Sequence, residues 1–254
     1  MRDISLPPVD GGTPVEALRR PGADMAGLPL LLGHGGELVV EWLGRAPYRP
    51  TWELQNELAD RRRRREIGDR LLLLEHEPVY TIGRGGNAHN LLASPDRLAE
   101  LGAELIRIDR GGDVTFHGPG QLVAYPIVEL RDPLDLRRYV RTLEAAVIAT
   151  AAGFGIPAGR VNGLPGVWVE GTRKLAAVGV RVKRGVTTHG LALNVSTDLA
   201  WFDEMHPCGI PGCGVTSVER ELGRAIPMGA VAERLAVDLA DALGLRLAAA
   251  AGSR

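Results

Sequence analysis

The sequence predicts an α+β protein in which helices flank a mixed or antiparallel sheet. Three observations carry that expectation. Apolar runs of strand length are joined by tight turns, helical stretches come in separate blocks, and no regular strand–helix–strand repeat runs through the chain. Residues 1–36 hold a high density of prolines and glycines with little periodicity, and read as a flexible N-terminal extension. No later linker or internal repeat is visible, so residues 37–250 read as one domain. Residues 37–43 form the first expected strand, and residues 52–67 a polar helix. The apolar run 71–75 suits a buried strand. Ser94-Pro95 caps a helix that ends near Gly102. Residues 104–109 and 122–128 alternate as strands around a glycine-rich loop, Arg110 to Gln121. Asp132-Pro133 opens a long helix to about Ala152, closed by Gly153. Residues 166–170, 175–182 and 186–195 are β-branched runs, the last two joined at Lys183-Arg184-Gly185 as a hairpin. A helix over 227–243 closes the fold.

Charge and composition exclude several classes. The chain carries 30 Lys+Arg against 31 Asp+Glu, a formal net charge of -1, so no polyanion-binding field is implied and nucleic acid is not an expected partner. Apolar stretches such as 71–74 and 145–152 are far short of the ~20 residues that span a bilayer. The N-terminus lacks a signal-peptide core, and two cysteines, Cys208 and Cys213, make no disulfide framework, so a cytoplasmic location is the expectation. The basic residues are 28 arginines and two lysines, Lys174 and Lys183. Five of the arginines run from Arg61 to Arg65. They point all round a helix axis, which suits a solvated helix end better than a landing patch for an acidic partner.

Four segments could carry chemistry. In the loop Arg110 to Gln121, Gly111 and Gly112 permit positive φ and close approach of a ligand, and Thr115, His117 and Gln121 supply polar groups. It lacks a phosphate-loop ending and leads into a strand, where a dinucleotide fingerprint needs a helix. An ordinary hairpin loop with a satisfied histidine explains it equally well. Cys208, on a loop of glycines and prolines and followed by Gly209, is placed as a nucleophile would be. Cys208 and Cys213 as buried thiols, a redox pair or metal ligands are the alternatives, the last weak because closed zinc sites want four ligands. Lys174 starts a strand that turns apolar. In a chain that uses arginine for charge almost throughout, it is a candidate for proton exchange, which arginine cannot perform. Lys183 suits a solvated turn. The strand around His189-Gly190 holds small residues along which an apolar chain could lie; a packed core strand is the competing reading.

Taken together in this order, these blocks resemble the lipoyl(octanoyl) transferase family, the octanoyl-[acyl-carrier-protein]:protein N-octanoyltransferases. The resemblance runs from about Trp52 to Leu222. It rests on residues 75–83, on 110–121 with Tyr125-Pro126, on 174–180, on 189–194, and on Pro207-Cys208-Gly209-Ile210 with Val215-Thr216-Ser217. It implies the α/β fold of biotin and lipoate protein ligase catalytic domains, a large mixed sheet with flanking helices and a smaller sheet. It implies transfer of an octanoyl group from octanoyl-acyl carrier protein to a lysine of lipoyl domains. The acceptors would be 2-oxo acid dehydrogenase subunits and the glycine cleavage H protein. No cofactor, metal or membrane is implied, and a monomer is expected. Carried over residue by residue, Cys208 is the nucleophile, and Lys174 lowers its pKa and moves protons. The acyl pocket uses Arg110, Gly111, Gly112, Asp113, Val114, Thr115, Phe116 and His117, then Ala177, Val178 and Gly179, then Gly190, Leu191 and Ala192. Oxyanion donors are expected among backbone N–H groups near Gly179 or Cys208. Cys213 matches no required position. The family commonly has Tyr at Phe116 and a branched aliphatic residue at His206. The alternatives are an ATP-dependent lipoate- or biotin-type ligase and a non-catalytic acyl- or lipoyl-domain-binding module.

Overall fold

The structure is a computed structural model that describes residues 36–131, 135–206 and 213–248. The N-terminal extension therefore lies almost wholly outside the described residues, and so do Cys208 and the Asp132-Pro133 helix opening. The helices are α1 (Tyr48–Arg63), α2 (Pro95–Leu101), α3 (Leu136–Gly153), α4 (Val218–Leu222) and α5 (Met228–Leu243). The strands are β1 (Glu37–Ala46), β2 (Asp69–His76), β3 (Val79–Ile82), β4 (Glu104–Arg107), β5 (Val114–His117), β6 (Gln121–Ile127), β7 (Ala158–Val161), β8 (Leu164–Val169), β9 (Arg173–Lys183), β10 (Val186–Asn194), β11 (Gly214–Val215) and β12 (Arg246–Leu247).

They form two sheets, as expected. The larger is mixed and runs β12-β1-β2-β6-β10-β9-β8-β7, with β11 pairing in parallel beside β9; the smaller runs β4-β3-β5. The run Leu71 to Leu74 shows why the large sheet is buried on both faces. Leu71 and Leu73 join the core under α3 and α5, while Leu72 and Leu74 join a second cluster with Leu58 and Ala59 of α1. Leu122 and Ala124 on β6 divide from Val123 and Tyr125 in the same way. The other end of α1 serves the small sheet, where Tyr48 and Trp52 pack with Val79, Ile106 and Ile108. Helix α1 thus bridges the two sheets, and the cavity between them is the site described below.

The structure corrects several boundaries. Helix α1 starts at Tyr48, four residues before the expected Trp52, because Pro47 is extended and Pro50 falls in the first turn, where a missing N–H costs nothing. It ends at Arg63, and Arg65 turns left-handed at φ 59°. Helix α3 is opened by Asp135, whose carboxylate accepts the Arg138 N–H. The 110–121 segment is not one loop: Val114–His117 pairs with β3 as the edge of the small sheet. Only Gly112 of the glycine pair takes positive φ, at 89°. The hairpin at Arg184-Gly185 has φ of 50° and 84°, as a two-residue primed turn requires.

The arginine run is more than a solvated helix end. Arg62 donates to Asp69 Oδ1 at 2.7 Å and to Glu129 Oε2 at 2.8 Å, tying α1 to the sheet. Arg61 pairs with Glu57 and Glu66, Arg63 with Asp60, and Arg64 with Glu66.

Candidate active site

The site begins with four small residues. Ala177 and Gly179 on β9 stand directly opposite Ala192 and Gly190 on β10, giving a strip on the α1 side of the large sheet from which side chains hardly project. At Gly190 the absence of a side chain is obligatory, since a Cβ would lie 2.1 Å from the Ala124 carbonyl oxygen. Across the strip lie Val114, Thr115 and His117 of β5 and the loop before them. Between the two walls is a cavity of about 260 Å³, lined also by Tyr48, Tyr125, Leu191, Phe202 and Met205. Its lining is predominantly apolar with a few polar groups, the composition of a small-molecule site.

Arg110 closes one end. Its Nη2 donates to the Thr81 carbonyl at 2.8 Å and to Thr81 Oγ1 at 2.9 Å, and its Nη1 donates to the Gly111 carbonyl at 3.0 Å. The side chain passes so near Gly179 that a Cβ there would meet Arg110 Cδ at 2.9 Å. Beside it, His189 adopts φ 58° in the middle of a strand, an uncommon conformation for a residue with a side chain. Its Nε2 donates to Asp109 Oδ1 at 2.8 Å, and Asp109 also pairs with Arg181. Burial holds the His189 imidazole below its ordinary pKa despite that carboxylate. Burial alone would raise Asp109, but the His189 hydrogen bond and the Arg181 charge outweigh it and hold the carboxyl low.

Two further histidines line or back the cavity in fixed tautomers. His117 Nδ1 donates to Gln121 Oε1 at 2.8 Å, and Gln121 Nε2 donates to Asn194 Oδ1 at 3.0 Å. Asn194 Nδ2 in turn donates to the Thr216 carbonyl at 3.0 Å. Burial, reinforced by the neighbouring His76, pushes His117 far below the usual imidazole range. His76 Nδ1 donates to the Ala46 carbonyl at 2.9 Å and its Nε2 accepts from the Tyr125 hydroxyl at 2.8 Å; burial pushes its pKa down to about 4.

Lys174 stands at the other end of the strip. It is 6% exposed, and its Nζ lies 4.9 Å from the centroid of the Trp168 ring. The Thr216 N–H donates to the Lys174 carbonyl at 3.0 Å, and Val215 of β11 is the direct cross-strand partner of Lys174.

The structure gathers most of the expected site residues at this cavity. Lys174, Arg110, Gly112, Asp113, Val114, Thr115, His117, Ala177, Val178, Gly179, Gly190, Leu191 and Ala192 all line it. Gly111 and Phe116 do not. Gly111 instead pins the loop to β9 through its N–H on the Val180 carbonyl at 2.9 Å. Phe116 is fully buried behind the wall and stacked 4.7 Å from Trp201, in an apolar cluster that asks nothing of a hydroxyl. The His206 N–H donates to the Asn90 carbonyl at 2.7 Å. Cys208 is outside the described residues; Cys213 is half-buried, with its thiol toward the Gly214 carbonyl. Sequence reasoning missed Tyr48, Gly163, Leu164, Pro165, Asn194, Phe202 and Met205 as lining residues. Asn194 closes the His189 block and was within reach of a motif reading, whereas Tyr48 lay outside the expected helix. Among the described residues no group of three or more His, Cys, Asp or Glu is arranged for a metal ion, and no helix is long and apolar enough to cross a membrane.

Two packed sheets, a strip of small residues and a buried lysine at its end define the class: residues 47–240 match the profile of the lipoyl protein ligase A/B catalytic domain. The fold agrees. The putative lipoate protein ligase Ta0514 of T. acidophilum superposes with a TM-score of 0.65 at 19% identity, over 84% of this chain and 87% of that one. A lipoate-protein ligase A bound with ATP superposes with a TM-score of 0.66 at 19% identity, over 84% and 87%. Sequence relatives are much nearer. The octanoyltransferase of Rubrobacter xylanophilus is 52% identical over 203 residues, 79% of this chain and 91% of that protein. That of Chloroflexus aggregans is 50% identical over 212 residues, 82% and 96% respectively. The chain belongs to the octanoyltransferase family.

Proposed function

We propose that this chain transfers an octanoyl group from octanoyl-acyl carrier protein to the Nζ of a lysine on lipoyl domains. The acceptors are those of 2-oxo acid dehydrogenase subunits and the glycine cleavage H protein. It acts in the cytoplasm as a monomer, with residues 37–250 as its catalytic domain. Cys208 and Lys174 carry the chemistry. With Lys174 as ammonium beside it, the Cys208 thiol loses its proton more readily, by the ~1–3 pH units expected of an opposite charge at close range. The thiolate attacks the thioester carbonyl carbon, the C–S bond to the carrier breaks, and the departing pantetheine thiolate takes a proton from the Lys174 ammonium, which is left as a neutral amine. The acceptor amine then attacks the Cys208 thioester, an amide forms, and the thiolate is released. Lys174 accepts the proton that the amine loses. Thioester exchange is nearly isoenergetic and amide formation runs downhill, so no nucleotide is consumed.

One observation carries the assignment of the pair. Both flanks of the Cys208 segment meet at the cavity: Met205, three residues before Cys208, lines it, and Val215, seven residues after, is the cross-strand partner of Lys174. The small-residue strip then supports an acyl chain running from Lys174 toward Arg110. Intact-mass measurement after mixing with octanoyl-carrier protein tests it. The native chain should gain one octanoyl group, Cys208→Ala none, and Lys174→Arg should lose turnover while remaining folded. Transfer that survives Cys208→Ala, or full turnover in Lys174→Arg, overturns the assignment.

A further inference from the structure

We infer that Trp168 is a positioning residue for Lys174: the face of its indole holds the lysine ammonium at the end of the acyl strip. The inference rests on the role proposed above for Lys174. Four observations carry it. Trp168 and Lys174 are direct cross-strand partners on β8 and β9, so both side chains leave the sheet on the same face. Both are buried, at 3% and 6% exposure, and Nζ sits 4.9 Å from the ring centroid, inside the ~6 Å range of a cation–π contact. The neighbouring backbone is shaped to the lysine arm. Gly166 takes φ 115°, and a Cβ there would lie 2.9 Å from Lys174 Cε and 2.5 Å from the Ala176 carbonyl oxygen. That turn is itself fixed, because the Gly166 N–H donates to the buried Glu144 carboxylate at 2.9 Å, which also accepts from Arg160 Nε at 2.9 Å. Finally, the Trp168 Nε1 is buried with no hydrogen-bond partner among the described residues. A tryptophan placed for its N–H would have one; this one presents its ring.

The physical consequence follows from burial. An ammonium taken out of water needs compensating interactions, and four flexible methylenes give it many places to go. The indole face supplies attraction at one of them, at the end of the acyl strip. Loss of the ring should therefore slow the chemical step while leaving substrate binding nearly intact.

The experiment compares Trp168→Leu and Trp168→Phe with the native chain, in octanoyl transfer and in alkylation of Cys208 by iodoacetamide across pH. Trp168→Leu should lower kcat by about 2- to 30-fold, the span of a cation–π contact, with KM nearly unchanged. It should also slow alkylation at neutral pH. Trp168→Phe, which keeps an aromatic face, should recover most of both. In a Lys174→Met background, Trp168→Leu should add nothing to either loss. Three results overturn the inference: a folded Trp168→Leu chain with native kcat and alkylation rate, a Phe variant as impaired as the Leu variant, or a Trp168→Leu effect that persists undiminished without the lysine. If Cys208→Ala and Lys174→Met themselves leave transfer intact, the proposed chemistry fails first, and the comparison tells the two failures apart.

Discussion

Replacing Ala177 with leucine should shorten the acyl chain that the cavity accepts. Ala177 stands opposite Ala192 in the small-residue strip and lines a cavity of about 260 Å³, so any side chain that grows there grows into the cavity and across the proposed path of the acyl group. Leucine adds three carbons. If they displace three methylenes of an octanoyl chain into water, the loss at ~0.8 kcal/mol each is about 2.4 kcal/mol, or roughly 60-fold in kcat/KM. A pentanoyl chain lacks those three methylenes and should be spared. The assay is transfer from octanoyl- and pentanoyl-carrier protein, read as the ratio of their kcat/KM values, with thermal unfolding to confirm that the variant is folded. A folded Ala177→Leu chain that loses both substrates equally, or neither, refutes the placement of the acyl chain along this strip.

Two further outcomes follow from the structure. His76 is neutral in the fold, with its pKa pushed down to about 4 from 6.5. The unfolded chain therefore binds more protons between those values, and stability should fall as pH drops through that window, by up to ~3 kcal/mol from this residue. Urea unfolding at pH 7, 5.5 and 4.5 should show that loss, and His76→Gln should reduce it, with the buried His117 and His189 supplying what remains; an unchanged slope would exclude His76 as a source. Gly190→Ala should destabilise the chain by about 2–3 kcal/mol, because its Cβ would meet the Ala124 carbonyl at 2.1 Å in the centre of the sheet. Unfolding within 0.5 kcal/mol of native would mean that β6 and β10 part more easily than packed strands do.

The large sheet was legible because its strands are long apolar runs buried on both faces, as at Leu71 to Leu74, and because the β9–β10 hairpin carries its own turn chemistry at Arg184-Gly185. The small sheet was legible only at β4, inside the expected strand 104–109. Its strands have four residues each, and β5 is embedded between glycine turns whose composition reads as loop; only pairing with β3 makes it a strand. The same division runs through the site. Residues held in contiguous motifs, such as His189 to Asn194, could be found from the sequence. Tyr48, Phe202 and Met205 reach the cavity from a helix start and from the segment before Cys208, and no local pattern announces that. The arginine run marks a third limit: helical geometry excludes a single stripe, but only the fold reveals that Arg62 faces Asp69 and Glu129.

The two cations inside the cavity distinguish structure from chemistry. Arg110 and Lys174 are equally buried, each 6% exposed, at opposite ends of one strip of small residues. At Arg110 the guanidinium is a fixed strut, its planar fork spread over the Thr81 carbonyl, the Thr81 hydroxyl and the Gly111 carbonyl. That is what arginine does well, and a chain with 28 arginines had no need of lysine for such a task. At the other end the chain uses one of its only two lysines, lays its arm over a glycine that could carry no side chain, and turns its ammonium onto an aromatic face. An arginine there would be a permanent charge of greater bulk, pressed against the Gly166 turn and unable to take up a proton. The proposed mechanism asks this group to hold a proton during acylation and to move one during transfer, which a lysine can do and an arginine cannot. In that proposal the Trp168 ring face has its part, holding the ammonium at the end of the strip.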